Sequence, residues 1–420
     1  MLGQQPQDFD IEVFGLAPGT LHTLLTDQFS VQFVGKAFGI FRLQGHAVDI
    51  SVPVSTLEEG PSVPHLLRQA DPNMPIEDAL ARRDFTINAM AWDPDTLEFR
   101  DPFHGREDLH NHILRHVSSR FGEDPLRVLR GMQLTARFEL TAASETVTLC
   151  RTLSQEKLPC ERLWEEWKKL LLHSRTPSLG LQFLNQCGWL AFYPELAALQ
   201  GCPQDQTWHP EGDVWIHTLH CLNWFAGERS GNVEDDLIVG LAVLCHDFGK
   251  PKTTRIENER VISRGHESEG TRPTKDFLER LTNQQDIIDD VIPLVQCHLR
   301  PRALFDAHAS DSAIRRLARQ VTRIDRLVRV ARADHAGRPP KPFDGFPAGD
   351  WLLTRAKALA VDRQVPQPII LGRHLLSLGI QPGPGMGHLL EECYEAQLDG
   401  EFATLEDGLT YARRELLHPS

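Results

Sequence analysis

The stretch Asp8-Phe9-Asp10-Ile11 alternates carboxylates with apolar side chains close to the start of the chain. Successive side chains of a β-strand point to opposite faces, so we expect Asp8 and Asp10 to share one face while Phe9 and Ile11 enter the core. Clustered carboxylates are the hard oxygen ligands that Mg²⁺ prefers. An Asp-x-Asp pair alone is weak evidence, but Asp49 on a second predicted strand adds a third carboxylate. Together the three acids predict a magnesium site.

The segments around these acids predict a small mixed sheet. Strands are expected at Val31–Val34 and Ala47–Val52, separated by a glycine-punctuated segment. The Pro-rich stretch Pro61–Pro75 is typical of a loop, and Ile76–Ala81 predicts a helix. From Asp124 onward the apolar residues recur at helical spacing up to the C-terminus. The sequence therefore predicts a mixed α+β region followed by an all-helical one.

Length and composition limit the class of protein. A chain of 420 residues exceeds what one hydrophobic core usually serves, which predicts two or three domains. No apolar run reaches membrane-spanning length, so no membrane partner is expected. The eight cysteines contain no C-x-x-C pair, which favours reduced thiols and a cytoplasmic location. The net charge of −14 argues against a non-specific nucleic-acid coat.

One segment of the chain is rich in arginine, although the chain as a whole is acidic. Arginines recur at three- and four-residue spacing, which predicts that they lie along one side of a helix. They are Arg316, Arg319, Arg323, Arg326 and Arg329. Two interpretations remain open at this point: a stripe that contacts a nucleic-acid backbone, or a solvated helix face opposite an apolar one.

Further motifs follow the Asp-x-Asp pair in a fixed order. They are Arg82–Ala89 (RRDFTINA), Asp101–Phe103 (DPF), Glu123–Arg130 (EDPLRVLR) and Glu161–Glu166 (ERLWEE). The series resembles the bacterial class II CCA-adding tRNA nucleotidyltransferases and their poly(A) polymerase relatives, from residue 1 to about residue 175. That resemblance implies template-independent addition of C and/or A to tRNA 3′ ends, with CTP and ATP as substrates and Mg²⁺ at the head.

The resemblance also implies site residues. The catalytic carboxylates would be Asp8, Asp10 and Asp49, of which Asp8 and Asp10 hold the metal. The nucleotide-binding residues would be Arg83, Asp84, Asp124, Arg127 and Arg130. Asp124 and Arg127 would select the base, since a carboxylate accepts a hydrogen bond from an exocyclic amine and a guanidinium donates to ring nitrogens or carbonyls. Arg83 and Arg130 would contact the triphosphate, and Asp84 the ribose hydroxyls.

The sequence departs from the family pattern in three places. Family members carry a Gly-Gly turn before the Asp-x-Asp strand, where backbone amides cradle the triphosphate, and here only Met1–Gln7 precede Asp8. We expect either an N-terminally truncated chain or a degenerate enzyme. The loop after Val52 lacks basic residues, and Gln133 stands where an arginine would extend the Arg127 series. The product can therefore be CCA, CC, a single A or poly(A).

A second constellation lies downstream. His217, the pair His246-Asp247, and Asp334 occur in the order, and with flanking residues, that resemble HD-domain phosphohydrolases. The resemblance implies a divalent metal, Mg²⁺, Ni²⁺ or Mn²⁺, held by these four residues, and hydrolysis of phosphomonoesters and 2′,3′-cyclic phosphates. His266 and His298 are candidates for a second metal position.

These observations predict a fold class and a domain order. The fold is expected to be α+β, with a small mixed-sheet nucleotidyltransferase head at residues 1–115, a helical neck at 116–180, an all-α HD body at 181–340 and a helical tail at 341–420. The expected partners are tRNA and nucleoside triphosphates, and the sequence does not decide the oligomeric state. The alternative function is an HD phosphohydrolase, or cyclic phosphodiesterase, whose head has become an RNA-binding module.

Overall fold

The computed structural model describes residues 9–34, 40–57 and 67–417. The chain forms two compact units, Met1–Asp124 and Pro125–Ser420. Strands dominate the first unit and helices the second, so the predicted α+β class is confirmed. The finer division into head, neck, body and tail at the boundaries given above stays a prediction.

Among its described residues, the N-terminal unit contains nine short strands and three short α-helices. The strands are β1 (Phe9–Glu12), β2 (Val31–Val34), β3 (Ile40–Leu43), β4 (Val48–Ser51), β5 (Val54–Leu57), β6 (Leu67–Ala70), β7 (Ala91–Trp92), β8 (Phe99–Arg100) and β9 (Ile113–Leu114). The α-helices are α1 (Pro18–Thr26), α2 (Ile76–Leu80) and α3 (Gly105–His110).

The sheet that carries the acids has the strand order β1-β4-β3-β2. β1 pairs with β4 in parallel, whereas β4, β3 and β2 are antiparallel neighbours. Its core combines Leu21 of α1 with Phe41 of β3 and Ile50 of β4. The prediction that Phe9 and Ile11 enter this core is wrong, because they are 58% and 45% exposed. Among the described residues β1 is an edge strand, and α1 packs over β3 and β4 instead.

Two further strands differ from the expectation. β3 was not predicted, because its four residues follow a glycine-punctuated segment that resembles a connection. The predicted loop Pro61–Pro75 contains β6, which pairs with β5 in antiparallel register from Leu57–Leu67 to Val54–Ala70. β6 is a strand because β5 supplies its hydrogen-bonding partners. The surrounding sequence, rich in Pro and polar residues, does not indicate a strand.

The C-terminal unit consists of helices with three short strands. The helices are α4 (Leu126–Phe138), α5 (Ser144–Cys150), α6 (Cys160–His173), α7 (Pro177–Gln186), α8 (Pro194–Ala197), α9 (Val214–Gly227), α10 (Val233–Cys245), α11 (Lys250–Thr253), α12 (His266–Glu269), α13 (Thr271–Leu281), α14 (Gln285–Cys297), α15 (Arg300–Asp306), α16 (Asp311–Val321), α17 (Ile324–Ala336), α18 (Pro347–Ala358), α19 (Gly372–Ser377), α20 (Pro384–Asp399) and α21 (Leu405–Leu417). The strands are β10 (Thr141–Ala142), β11 (Arg255–Glu257) and β12 (Arg260–Ile262).

The helix α10 is the central element of this unit. Every residue from Asp236 to Cys245 is buried, and helices α6, α9, α14 and α17 pack around it. A helix that is apolar on all sides belongs in a core. The residues that follow α10, His246 and Asp247, are therefore delivered into the protein interior, where both are about 1% exposed.

The arginine series does not lie on one helix. Thr322 adopts φ of 60° and ends α16, and α17 starts two residues later. The arginines pair with acids of the same unit: Arg316 with Glu395 and Asp399, Arg319 with Glu391 and Glu395, Arg323 with Asp235 and Asp325, Arg326 with Glu234, Asp235 and Asp290, and Arg329 with Asp236. The solvated face describes Arg316 and Arg319, which stay 43% and 38% exposed, but not Arg326, which is 4% exposed. Most of the pairing acids lie far away in the sequence, so the spacing of the arginines did not indicate these ion pairs.

Within the described part of the chain, no helix combines the length and the apolar composition that crossing a bilayer requires.

Candidate active sites

Two acids predicted for the head lie side by side. Asp10 of β1 and Asp49 of β4 are register partners in the parallel pair, so their side chains emerge on the same face of the sheet. Asp10 is exposed. Asp8 lies outside the described residues. The sheet thus brings together two of the three predicted catalytic carboxylates.

An arginine on the next strand binds one of these acids. Arg42 of β3 donates to both carboxylate oxygens of Asp49, Nε to Oδ1 at 2.8 Å and Nη2 to Oδ2 at 2.7 Å. This bidentate pair lowers the pKa of Asp49, so the carboxyl stays ionised. Sequence reasoning missed Arg42, because β3 itself was not predicted.

Arg83 also contacts a carboxylate of the sheet. Its Nη2 donates to Glu12 Oε2 at 3.2 Å, and Glu12 lies two residues after Asp10 on the same face of β1. Arg83 is thereby connected to the acidic face. Glu12 is a third carboxylate of that face which the motif comparison did not single out.

Asp84 has a structural role in addition to any ligand contact. It is 6% exposed, and its Oδ1 accepts hydrogen bonds from the backbone N–H of Phe85 at 2.7 Å and from Asn88 Nδ2 at 3.1 Å. These bonds fix the short turn Thr86–Asn88. A role of Asp84 toward ribose hydroxyls remains a prediction.

The remaining nucleotide-binding candidates lie around the start of α4. Asp124 is the last residue of the N-terminal unit, and Arg127 and Arg130 stand one turn apart on α4, each half-buried. Gln133 follows after one more turn, is 3% exposed, and accepts a hydrogen bond from Arg137 Nη1 at 3.2 Å. The spacing places Arg127 and Arg130 on one side of the helix.

The second site gathers residues from five parts of the C-terminal unit. His217 lies in α9, His246 and Asp247 follow α10, His266 opens α12, His298 follows α14, and Asp334 lies in α17. All six are buried. We call His217, His246, His266 and His298 the histidine cluster. The structure thus brings together all four predicted HD ligands and both candidates for a second metal position.

Three members of the cluster are fixed in one tautomer. The Nδ1 atoms of His246, His266 and His298 each lie 2.7 Å from the backbone carbonyl three residues earlier. Because Nδ1–H donates there, the neutral ring presents an unprotonated Nε2 to the centre of the site. The Nε2 atoms of His266 and His298 are 3.3 Å apart, and those of His246 and His217 are 3.4 Å apart. Such convergent lone pairs fit a bound cation.

His217 is held by a buried acid that sequence reasoning missed. Its Nδ1 lies 2.7 Å from Glu211 Oε1, and its Nε2 lies 3.1 Å from Asp334 Oδ1. Burial alone would raise the pKa of Glu211, but hydrogen bonds from His209 and His217 hold it at about 2. A carboxylate behind a histidine is a common support for a metal ligand. Glu211 carries no motif signal, since it lies in a loop six residues before His217.

Asp247 occupies the middle of the site. Its Oδ2 lies 3.3 Å from His246 Nε2 and its Oδ1 lies 3.3 Å from His266 Nε2. Both oxygens are buried, and Lys250 Nζ, 2.7 Å from Oδ2, partly offsets the charge of the carboxylate. A buried carboxylate is costly unless cations or hydrogen-bond donors satisfy it. Asp247 therefore faces both halves of the cluster as a bridging ligand would.

Two cations accompany the acids of this site. Lys250 Nζ lies 2.7 Å from Asp247 Oδ2 and donates to Gln204 Oε1 at 2.7 Å. Arg338 Nη2 donates to Asp334 Oδ1 at 2.7 Å. Burial lowers the pKa of His298 to about 3, which keeps that ring neutral. Lys250 lies three residues after Asp247, whereas nothing in the sequence pattern singled out Arg338.

These residues fit one or two divalent ions. His217, His246, Asp247 and Asp334 supply two imidazoles and two carboxylates, and Asp247, His266 and His298 form a second group whose ligand atoms lie within 4.8 Å of one another. Cys221, buried with its Sγ 3.4 Å from His217 Nε2, adds a thiol beside the first group. Mixed nitrogen and oxygen ligands suit transition metals and magnesium.

Comparison with known protein families matches both units. Residues 1–115 match the family described as Poly A polymerase head domain, and residues 214–331 match the HD domain. One region of the chain is thus similar to a poly A polymerase head and another to an HD domain. The first match includes the sheet with Asp10 and Asp49, and the second includes the histidine cluster with Asp247. Of the proposed HD ligands only Asp334 lies beyond the matched range, three residues after its end.

Solved structures with a similar fold cover nearly the whole chain. The Bacillus stearothermophilus CCA-adding enzyme in complex with CTP aligns with a TM-score of 0.68 and 19% identity, over 99% of this chain and 90% of that one. The Thermotoga maritima CCA-adding enzyme complexed with tRNA aligns with a TM-score of 0.56 and 19% identity, over 99% and 88%. A CCA-adding enzyme in complex with ATP aligns with a TM-score of 0.59 and 18% identity, over 100% and 88%. At this identity the similarity establishes a shared fold.

Proposed function

We propose that this protein is a template-independent nucleotidyltransferase that adds C and/or A to tRNA 3′ ends from CTP and ATP, with an accessory phosphohydrolase activity at the HD site. The observation that carries the proposal is the head domain with Asp10 and Asp49 on adjacent strands, in a chain whose fold matches CCA-adding enzymes over 99% of its length. All eight cysteines are free, which supports a cytoplasmic setting.

In the head, the carboxylate face would hold Mg²⁺ through Asp10, together with Asp8. The ion would neutralise the triphosphate and align it for attack by the RNA 3′ hydroxyl. Asp49 is engaged by Arg42, so it acts either through that arginine or after the pair opens. Arg83 and Arg130 would bind phosphate oxygens, Asp84 would hold the ribose hydroxyls, and Asp124 with Arg127 would read the base.

An extension assay tests the head. The protein is incubated with Mg²⁺, labelled CTP or ATP, and tRNA that lacks its 3′-terminal CCA, and the products are separated at single-nucleotide resolution. We expect incorporation by the wild-type chain and a loss of at least 100-fold in Asp10→Asn, because the ion loses a charged ligand. Asp27→Asn, at an exposed acid just after α1, is the matched control. No incorporation by the wild type would contradict the proposal.

At the HD site the histidine cluster, Asp247 and Asp334 would hold Mg²⁺, Ni²⁺ or Mn²⁺. A bound ion would supply Lewis acidity for hydrolysis of a phosphate ester, in which water adds across one P–O ester bond and the leaving oxygen takes up a proton. Lys250 and Arg338 place positive charge beside Asp247 and Asp334, where they can offset the charge of a phosphate group.

Cleavage of 2′,3′-cyclic AMP tests the HD site independently of the head. We expect metal-dependent cleavage by the wild type and by Asp10→Asn, and none by His246→Ala or Asp247→Asn, provided that circular dichroism shows these variants folded. If the wild type cleaves the cyclic phosphate but incorporates no nucleotide, the alternative function holds: an HD phosphohydrolase with a degenerate head.

A further inference from the structure

Cys221 places a thiol beside the histidines of the HD site. It lies on α9 one helical turn after His217, so the two side chains share a face of the helix. Its side chain is 0% exposed, and its Sγ lies 3.4 Å from Nε2 of His217. Of the eight cysteines, Cys221 is the one that belongs to a group of closely spaced potential metal ligands within the described part of the chain. A sulfur ligand is therefore available at one place in this site.

The spacing of the donor atoms fits a tetrahedral ion. Zn²⁺ binds nitrogen at about 2.0–2.1 Å and sulfur at about 2.3 Å. In a tetrahedron these bond lengths place two nitrogens about 3.3–3.4 Å apart, and a nitrogen and a sulfur about 3.5 Å apart. Here Nε2 of His217 lies 3.4 Å from Nε2 of His246 and 3.4 Å from Sγ of Cys221. Both distances match two edges of such a tetrahedron.

Both imidazoles of this group present an unprotonated nitrogen. Nδ1 of His217 lies 2.7 Å from Glu211 Oε1 and 3.1 Å from the carbonyl oxygen of Gly337, so Nδ1 carries the proton of the neutral ring. Nδ1 of His246 likewise donates to the carbonyl of Val243 at 2.7 Å. Two Nε2 lone pairs 3.4 Å apart repel each other unless a cation lies between them. The histidines thus indicate a cation at this place independently of the thiol.

The backbone after α17 encloses the sulfur. Gly337 packs directly against Cys221, since a Cβ on this glycine would lie 2.4 Å from Sγ and 2.8 Å from the backbone nitrogen of Cys221. Among the described residues, the ring of His217 is the only hydrogen-bond partner of the thiol. The sulfur is therefore held between the glycine and the imidazole, and no hydrogen bond to another described residue competes with an ion for it.

We propose that Cys221 is a ligand of the ion held by His217 and His246, so that this position selects a thiolate-binding divalent cation such as Zn²⁺ or Co²⁺. The inference rests on the proposed metal site and specifies the class of ion. The thiol would bind as a thiolate, with its proton released to solvent. The second group of ligands, which includes Asp247, contains no sulfur, and its carboxylate suits Mn²⁺. The two groups would therefore prefer different metals.

Absorption spectra of the cobalt protein test the sulfur ligand. Co²⁺ is titrated into the metal-free full chain, where a cobalt–thiolate bond gives a charge-transfer band in the near ultraviolet, and nitrogen and oxygen ligands give weak visible bands. We expect both in the wild type. Cys221→Ser should lose the near-ultraviolet band and keep the visible bands, because both imidazoles remain. Cys393→Ser, at a thiol of α20 that is 1% exposed, is the matched control and should keep both.

Two spectra would overturn the inference. One is a wild type with visible bands and no near-ultraviolet band, and the other is an unchanged near-ultraviolet band in Cys221→Ser. X-ray absorption of the wild type with an equimolar amount of Zn²⁺ needs no variant. It should show a sulfur about 2.3 Å from the zinc, and a shell of nitrogen and oxygen alone would contradict the sulfur ligand.

These measurements do not depend on catalysis, so they separate this inference from the hydrolase proposal. If the wild type cleaves no cyclic phosphate but shows the cobalt–thiolate band, the hydrolase proposal fails and the sulfur ligand stands. If it cleaves the cyclic phosphate but its cobalt form lacks that band, the hydrolase proposal stands and the sulfur ligand fails. A wild type that gives no cobalt bands at all would contradict the metal site, and the role of Cys221 with it.

Discussion

Glu211 is a residue of the HD site that no sequence motif indicates. Its buried carboxylate binds His217 Nδ1, which orients the ring and leaves Nε2 facing Asp334. We expect Glu211→Gln to weaken metal binding about 10- to 100-fold, the usual cost of losing the carboxylate behind a histidine ligand. Isothermal titration with Mn²⁺ in an Asp10→Asn background measures this effect without a contribution from the head. Glu257→Gln in β11 is the control, and an unchanged Kd in Glu211→Gln would contradict the role.

Gly249 shows how tightly the HD site is packed. A Cβ at this position would lie 2.0 Å from the backbone oxygen of His266 and 2.6 Å from the nitrogen of Gly270. Gly249→Ala must therefore push α11 away from α12, at a cost of about 1–3 kcal/mol. Chemical denaturation is expected to show this loss, together with reduced cyclic phosphate cleavage, because His266 moves. Gly227→Ala at the end of α9, where a Cβ meets nothing within 4 Å, should change neither quantity.

The residues proposed as ligands of the HD site could be picked out from the sequence, and the residues that hydrogen-bond to them could not. His217, His246, Asp247 and Asp334 stand in a recognisable order, and the structure gathers them as expected. Glu211 and Arg338 reach the site from loops, and their roles depend on which backbone passes beside them. In the head, Asp10 and Asp49 were predicted from alternation, but Arg42 was not, because strand register is a property of the folded sheet.

At the scale of helices, the start of α17 is fixed by ion pairs with α10 and α14. Arg326 is 4% exposed and donates to Asp235 at 2.7 Å, to Asp290 at 2.6 Å and to Glu234 at 2.9 Å. Removal of the guanidinium leaves Asp235 with Arg323 as a partner and takes the ion pair with Arg326 away from Asp290 and Glu234. We expect Arg326→Ala to lower the free energy of unfolding by about 2 kcal/mol, discounted from fully buried pairs because the acids are partly exposed. Arg302→Ala, in a surface pair with Asp306, should cost almost nothing.

The same contact gives the stability of α17 a pH dependence. Burial opposes ionisation of Asp235, but Arg326 and Arg323 lower its pKa in the folded state. A carboxyl with a lowered folded pKa contributes stability that is present above its unfolded pKa of about 3.9 and is lost as the pH falls through the folded value. The difference in unfolding free energy between wild type and Arg326→Ala should therefore shrink below pH 4. A constant difference from pH 7 to pH 3 would contradict this account.

Elements with their own sequence signal were predicted correctly, and elements that depend on a partner were not. β2, β4 and α2 follow the apolar alternation and helix signals of their residues. β6 lies in a stretch that resembles a loop, and it is a strand because β5 pairs with it. The arginine series was predicted to lie on one helix, because its three- and four-residue spacing continues across Thr322. The helical backbone ends at that residue.

For the whole molecule, the carboxylates proposed for the head and the residues proposed for the HD site lie in different units, and metal should stabilise the two units separately. The HD site concentrates four imidazoles and two carboxylates in the interior, an arrangement that is costly until a cation occupies it. An ion that binds only the folded state at 100 times its Kd adds about 2.7 kcal/mol, which raises the midpoint of thermal unfolding by roughly 3–4 °C in a protein of this size. We expect Mn²⁺ to produce this shift in wild type and in Asp10→Asn, and EDTA to remove it.

Calorimetry of Asp247→Asn decides whether the shift arises at the HD site. Asp247 faces both groups of ligands, so its neutralisation should abolish most of the Mn²⁺-induced shift. The metal-free variant should itself unfold at a lower midpoint, because the buried Lys250 loses the carboxylate that lies 2.7 Å from its Nζ, so the Mn²⁺ shift is measured against metal-free Asp247→Asn. A full Mn²⁺ shift in Asp247→Asn together with its loss in Asp10→Asn would place the stabilising ion in the head instead.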